Sequence, residues 1–239
     1  MRLDKFLANA GMTRSQAKQA VKSGRVTVDG VPAKDASAHI DENARVLVDG
    51  LNTRLPGHRY IMLNKPAGVV TANTDGRFRT VFDVLPVDMR VKGLSAVGRL
   101  DRDTTGLLLF TTDGELAHRL ISPGRDVEKV YIADVDAPLD DECVKIMAKG
   151  VRLKDFIAKP AKLDIISSQR AIITVTQGKY HQVKRMFAAL GRNVTALKRL
   201  SVAGISLDES LDPGQARELT RDEISGLYKA VGLRGMPDE

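Results

Sequence analysis

The segment Gly98-Arg99-Leu100-Asp101-Arg102-Asp103-Thr104-Thr105-Gly106 runs directly into Leu107-Leu108-Leu109-Phe110. A continuous apolar run of this kind reads as a buried strand. The polar residues before it therefore sit at the mouth of that strand, where a rigid scaffold can hold a reactive group. Three readings of the polar segment are open. Its aspartates and arginines could pair with one another and with backbone amides in an ordinary loop. Asp101 and Asp103 could form an Asp-x-Asp metal site, although hard cations want more oxygen ligands than two carboxylates and nothing nearby supplies them. They could also work as a paired acid and base, as in glycoside hydrolysis.

The rest of the chain narrows the choice. Its 239 residues, 43% hydrophobic and 28% charged, are enough for one or two domains with a real core. No apolar stretch approaches membrane-spanning length. Met1-Arg2-Leu3-Asp4-Lys5 lacks the apolar core of a signal peptide, so a cytoplasmic location is expected. Cys143 is the single cysteine, which excludes an intrachain disulfide and a cysteine zinc site. His39, His58, His118 and His181 show no metal-ligand spacing. No phosphate-binding loop or dinucleotide fingerprint occurs, so no nucleotide cofactor is implied.

The formal net charge is +7, and its distribution is uneven. Arg2, Lys5, Arg14, Lys18, Lys22 and Arg25 face a single acid, Asp4, in their stretch. Lys179, Lys184, Arg185, Arg192, Lys198 and Arg199 face none in theirs. Two separated basic patches are the footprint of a nucleic-acid binder with two contact surfaces.

At the N-terminus, Leu3, Phe6, Leu7 and Ala10 recur at helical spacing and Gly11 ends the helix. Thr13-Arg14-Ser15-Gln16 has the capping-box pattern. The second helix it starts buries Ala17, Ala20 and Val21 and presents Arg14, Lys18 and Lys22 at i, i+4 and i+8. No acids interleave to neutralise that stripe, which favours a phosphate-facing surface over a merely solvated one. Arg25-Val26-Thr27-Val28 alternates as a strand and meets the hairpin signal Asp29-Gly30. Arg45-Val46-Leu47-Val48 and Asp49-Gly50 repeat that pattern. This helix-helix-hairpin arrangement, with Arg-Val-Thr-Val-Asp-Gly at 25–30, resembles the alpha-L RNA-binding module. The resemblance implies that residues 1–50 grip structured RNA by its backbone, as expected for A-form RNA read by shape.

Residues 51–58, with Pro56-Gly57, read as a linker. From Arg59 onward strands and helices mix without regular alternation. Strands are expected at Tyr60–Leu63, Val127–Val135, Ala161–Ile166, Ala171–Thr176 and Val194–Val202. Helices are expected at Thr80–Leu85, from Asp113 to Ile121, Asp140–Lys149 and His181–Leu190, with a last one capped by Thr220-Arg221-Asp222-Glu223. The fold class is α+β: the small N-terminal module, then a larger domain over 59–232 with a mostly antiparallel or mixed sheet. Residues 233–239 read as a loose tail.

Four segments then stand out together: Leu63-Asn64-Lys65-Pro66, Gly98-Arg99-Leu100-Asp101, Glu128-Lys129-Val130-Tyr131, and Gly178-Lys179-Tyr180-His181-Gln182-Val183-Lys184-Arg185-Met186-Phe187. In this order they resemble the pseudouridine synthases of the RsuA type, which modify small-subunit (16S) ribosomal RNA. The match runs from Met1 to about Tyr228. It implies isomerisation of uridine to pseudouridine with no cofactor and no metal. Uracil is detached from C1′ of its ribose, rotated and rejoined through C5. Asp101 matches the family's essential aspartate; attack on the ribose, its deprotonation and addition to the uracil ring remain open from the residues alone.

A carboxylate in an apolar pocket tends to protonate, and Lys184 matches the basic residue that opposes this. The target base must leave its stack. Arg99 matches the position that fills the vacated space or holds the flipped phosphate. Tyr131 matches the active-site tyrosine that stacks on uracil. Lys65 and Pro66 match a first motif that shapes the pocket floor, and Lys65 is counted with Arg99, Arg14, Lys18 and Lys22 among the substrate-binding residues. Asp103 is expected to cap the turn at Thr104-Thr105-Gly106. The expected partner is ribosomal RNA, and nothing suggests a stable oligomer, so a monomer is expected. The same chemistry on large-subunit (23S) RNA, and a non-catalytic role as an RNA-binding ribosome-assembly factor, are the competing readings. A metal-dependent phosphotransferase on Asp101 and Asp103 is the weakest.

Overall fold

The computed structural model describes residues 1–41, 44–53 and 57–233. The chain forms two compact units, Met1–Gly57 and His58–Glu239.

In the first unit, α1 (Leu3–Asn9) and α2 (Arg14–Lys22) pack on a small antiparallel sheet of β1 (Val26–Val28), β2 (Val31–Pro32), β3 (Val46–Val48) and β4 (Leu51–Asn52), in the order β2-β1-β3-β4. The Thr13 hydroxyl accepts from the Gln16 amide at 3.1 Å while the Thr13 amide donates to the Gln16 side chain at 2.7 Å, completing the expected capping box. Leu3, Leu7, Ala17, Ala20, Val26 and Val46 close the core. Both hairpin tips are Asp-Gly pairs with positive φ at each residue, Asp29/Gly30 and Asp49/Gly50, the conformation that matches the twist of the flanking strands. Leu51 and Asn52, expected in the linker, instead pair with β3 as an edge strand. The middle of that linker, residues 54–56, and the expected tail beyond Leu233 lie outside the described residues.

The second unit is built on a mixed sheet. Its elements in chain order are β5 (Tyr60–Lys65), α3 (Val81–Val84), β6 (Ser95–Ala96), β7 (Thr105–Thr111), α4 (Gly114–Ile121), β8 (Lys129–Val135), α5 (Asp141–Lys149), β9 (Lys162–Ser167), β10 (Arg170–Val175), α6 (Gln182–Ala189), β11 (Val194–Val202), β12 (Ile205–Ser206), β13 (Ala216–Glu218) and α7 (Arg221–Ala230). Strand order is β13-β5-β7-β11-β8-β10-β9, with β12 on β11 and β6 on β7. Among the described residues the one parallel pairing in this sheet is β7 with β11; the others are antiparallel.

The apolar run Leu107-Leu108-Leu109-Phe110 is the middle of β7, and both faces of the sheet are covered there. Leu108 and Phe110 join the core under α3, α5 and α6, with Val81, Cys143, Met147, Met186 and Phe187. Leu107 and Leu109 join a second core under α4 and α7, with Leu116, Leu120 and Leu227. A strand buried on both faces has no position for a polar side chain, hence the unbroken run.

Two features fix β7. Gly106 lies opposite Arg199 in the parallel register, and its φ is +95°. A Cβ there would sit 2.3 Å from the Arg199 carbonyl oxygen, so only glycine lets the two backbones approach this closely. At the other end, Asp113 caps α4 by accepting from the amides of Glu115 and Leu116 at 3.0 Å each. The same carboxylate accepts from the Tyr228 hydroxyl, which lies 2.9 Å from that of Tyr60. This buried network ties α7 to β5 and to the start of α4.

Gly106→Ala should cost at least about 2 kcal/mol in urea denaturation, because an unfavourable φ and a backbone clash coincide. Tyr228→Phe should cost about 1–3 kcal/mol by leaving Asp113 short of a buried donor. Burial and the bond to Asp113 hold the Tyr228 hydroxyl protonated well above its ordinary range. Its contribution is therefore complete below about pH 10 and falls above it, where the unfolded chain loses its proton first. The gap between wild type and Tyr228→Phe should narrow from pH 8 to pH 10.5.

Candidate active site

Asp101 lies in the loop between β6 and β7, and four ties hold that loop in place. Thr71 straddles Leu100, donating its hydroxyl to the carbonyl at 2.8 Å and accepting from the amide at 3.1 Å. The Gly68 amide donates to the Arg102 carbonyl at 2.8 Å, and the Thr104 amide to that of Asp101 at 3.1 Å. Lys65, at the end of β5, has 0% exposure. Its ammonium donates to the carbonyls of Pro66 at 3.0 Å, Arg102 at 3.3 Å and Thr104 at 2.8 Å. Burial pushes this amine down to about 8, and the Asp103 and Asp101 charges pull against that shift. Lys65 was counted among the substrate-binding residues. Its ammonium is consumed by loop carbonyls, so it shapes the floor of the site and does not reach into the opening.

Three distant segments converge above this floor. The Lys184 ammonium on α6 lies 3.3 Å from one Asp101 carboxylate oxygen, and His181 Nε2 lies 3.4 Å from the other. Arg99, Asp101, Tyr131, His181, Gln182 and Lys184 are among the residues lining one cavity of about 60 Å³. Tyr131, on β8, is 8% exposed. Gln182 is also buried and accepts from the Lys179 amide at 3.1 Å. Arg99 is exposed at the rim and makes no salt bridge among the described residues. The predicted catalytic residues Asp101, Tyr131 and Lys184 thus share one opening with Arg99.

The charge pattern departs from expectation at Asp103. It does not cap the turn at Thr104; it lies 2.5 Å from the Lys184 ammonium. That bond and the lysine's charge hold the Asp103 carboxyl below the usual carboxylate range. Lys184 is therefore shared between two aspartates, and its shorter contact is to the more exposed one. Three of the six cations of the second basic patch, Lys184, Arg185 and Arg192, are also paired with acids. Arg185 pairs with Asp155, Arg192 lies 3.4 Å from Asp140, and Arg199 is buried. Counting acids within the stretch missed these partners because they come from distant parts of the chain.

Sequence reasoning also passed over His181. It sits inside a quoted motif, but nothing in the residue string singles it out. The structure puts it at the start of α6 in the left-handed conformation, φ +50°. Its ring stacks on that of Tyr180 at 3.8 Å between centroids, and Tyr180 is 76% exposed. A non-glycine residue in this conformation carries strain that neighbouring structure must hold.

In the first unit, Arg14, Lys18 and Lys22 lie exposed along α2 and form no salt bridge among the described residues. Lys18 and Lys22 border a wide surface depression together with Arg2 and Lys34. Arg2 and Arg25 are paired with Asp4 and Asp49, so the stripe is a major part of the unpaired positive charge there. Among the described residues, no group of three or more His, Cys, Asp or Glu side chains could hold a metal ion.

The sequence pattern of the RNA pseudouridylate synthase family matches residues 59–189, and that of the S4 domain matches residues 1–46. The ribosomal small subunit pseudouridine synthase A of Vibrio cholerae is 43% identical over 232 residues, which span 96% of this chain and 100% of that one. An RNA pseudouridine synthase of Bacillus subtilis, YtzG, is 44% identical over 94% of this chain and 97% of its own. A crystal structure of a pseudouridylate synthase superposes with a TM-score of 0.69 at 39% identity, covering 95% of this chain and 99% of that one. The likeness includes both units and the segments that meet at Asp101, and on it the chain belongs to the RNA pseudouridylate synthases of the RsuA type, isomerases that carry an S4 RNA-binding domain.

Proposed function

We propose that this enzyme converts one uridine of small-subunit (16S) ribosomal RNA to pseudouridine, with Asp101 as the nucleophile. The observation that carries this reading is the convergence of Arg99 and Asp101 from one loop, Tyr131 from β8 and Lys184 from α6 on one cavity. The relatives named for small-subunit RNA support the choice of substrate.

In the reaction the N1–C1′ bond of uridine breaks and a C5–C1′ bond forms. The C5 proton is lost and N1 gains one, so the product is an isomer. A carboxylate can form a covalent adduct at a sugar carbon and then leave, as in retaining glycosidases. Thr71 and Lys65 hold the backbone on either side of Asp101, at Leu100 and at Arg102 and Thr104, and Lys184 and His181 approach its two oxygens, so the nucleophile is oriented before substrate arrives. Tyr131 lies against the cavity, where its ring stacks on the displaced uracil. Arg99 at the rim takes the space that the base leaves in the RNA stack. The Arg14/Lys18/Lys22 stripe contacts phosphates elsewhere on the RNA, and the enzyme acts as a monomer in the cytoplasm.

Tritium release from C5-labelled uridine in partly assembled small-subunit RNA tests the assignment. Asp101→Asn should abolish release and leave RNA affinity within a few-fold of wild type; turnover by this variant would remove Asp101 from the mechanism. Release only from large-subunit RNA would move the substrate to that particle. Tight binding to either RNA without release would favour an assembly factor.

Alanine at Arg14, Lys18 or Lys22 should weaken binding to all RNA sequences alike. Each substitution should flatten the slope of log affinity against log salt by about 0.7–0.9 if it removes one phosphate contact. An unchanged slope in the triple variant would exclude the stripe from the interface.

A further inference from the structure

Beside the Asp101 cavity lies a second one of about 150 Å³. It opens where β6 and β11 part along one edge of β7. The two cavities share Arg99, Tyr131, Gln177, Gly178 and Lys179 in their linings. Four basic side chains, Arg99, Lys129, Lys179 and Arg199, line the second cavity, and among the described residues no carboxylate does.

Arg199 is the unusual member. It is 3% exposed. Its Nε donates to the Leu107 carbonyl at 2.7 Å, one residue beyond the Thr105–Gly106 stretch of β7 that pairs with β11. That bond accounts for its position on β11 but leaves one end of the guanidinium over. Nη2 is buried and has no hydrogen-bond partner among the described residues. A buried polar group without a partner is rare and costly, and for a charged group the cost is larger.

Lys129 adds to the imbalance. Its ammonium has one protein acceptor among the described residues, the Val127 carbonyl at 2.8 Å. Burial pushes the amine down to about 8, the Arg199 charge pushes the same way, and Asp126 offsets them only in part. Two desolvated cations next to each other, with no anion in the lining, form a site that is electrostatically incomplete in the protein alone.

We propose that this second cavity binds a phosphate group of the substrate RNA strand, held by Lys129 and the free end of the Arg199 guanidinium. An acceptor carrying negative charge satisfies both cations at once, and a phosphate oxygen meets a guanidinium edge with good geometry. The shared lining places such a phosphate next to the base in the Asp101 cavity, so the strand is gripped where its nucleotide enters. This assignment rests on the reading of RNA as substrate. It differs from the α2 stripe in position and in burial: the stripe is exposed, and this pair is not.

Inorganic phosphate is the probe. The full-length, isotope-labelled protein is titrated with it at constant ionic strength, and the Arg199 Nε–H and Lys129 Cε–H signals are followed by NMR. Both should shift in a saturable way, while chloride at matched ionic strength should leave them unmoved. Lys129→Met should weaken phosphate binding about tenfold, the loss expected for one charge-assisted contact, and Lys129→Arg should restore most of it. Absence of saturation, or equal binding by Lys129→Met, would show a structural cavity satisfied by water and overturn the proposal.

Affinity for small-subunit RNA, measured without turnover, should fall by a similar factor in Lys129→Met and recover in Lys129→Arg. Phosphate binding combined with unchanged RNA affinity would remove the RNA strand as its occupant. Because neither readout uses pseudouridine formation, a failure of the catalytic assignment at Asp101 would be seen separately in the tritium assay. Circular dichroism and the urea midpoint of Lys129→Met distinguish a lost site from a lost fold. Should that variant unfold, the NMR titration of wild type alone still decides whether phosphate binds beside Arg199.

Discussion

Lys65 is a long cationic side chain with no exposure, and its ammonium ends on three backbone carbonyls around the loop that carries Asp101. Burying an ammonium is unfavourable unless its hydrogens are satisfied, and here each has a carbonyl within reach. The geometry works in both directions. The carbonyls make the buried lysine tolerable, and the lysine draws together the end of β5 and the turn at 102–104. Without that tie, the carboxylate of Asp101 would have a position only as firm as its own loop. The opposition of burial to the charges of Asp101 and Asp103 puts the floor and the Asp101 carboxylate in the same electrostatic balance.

The sheet explains why so polar a loop can be rigid. β7 has side chains in two cores and is paired along both edges, by β5 on one side and by β6 and β11 on the other. The chain enters this strand from the polar loop, so the last polar residues are anchored by the first apolar ones. α6 brings Lys184 and His181 over the loop because Val183, Met186 and Phe187 bury the opposite face of that helix. Side chains from one helix and one strand mouth are therefore positioned by independent cores, which is how a small site can be held to a fraction of an ångström.

Much of this was legible in the residue string. The capping boxes at Thr13 and Thr220, the Asp-Gly hairpins, the β7 run and the α6 stripe are local signals, and each was found where expected. Short strands such as β6, β12 and β13 were not, because two or three residues carry no period and exist only through their partners. Pairings failed to show for the same reason. Arg185 with Asp155 and Lys184 with Asp103 join residues 30 and 81 positions apart, so a basic stretch without neighbouring acids overstated the free charge. The site residues Asp101, Tyr131, Lys184 and Arg99 were identified through motif resemblance. Periodicity alone would have left Tyr131 as core and Lys184 as solvated surface. Lys65 shows the limit of that approach, since a motif position does not reveal whether a charge faces the substrate or the backbone.

The parallel pairing of β7 with β11 has a consequence for biosynthesis. Leu107 and Arg199, joined by a side-chain bond across this edge, are 92 residues apart. At translation rates of about 5–20 residues per second, the interval between them is roughly 5–20 s. During that time β7, with its continuous Leu107–Phe110 apolar run, has β5 available on one edge while the Thr105–Gly106 end of the other waits for a partner not yet made. Unpaired strand edges invite association with other chains. The polar loop before β7 and the glycine within it, needed for the finished site, also keep that waiting edge short.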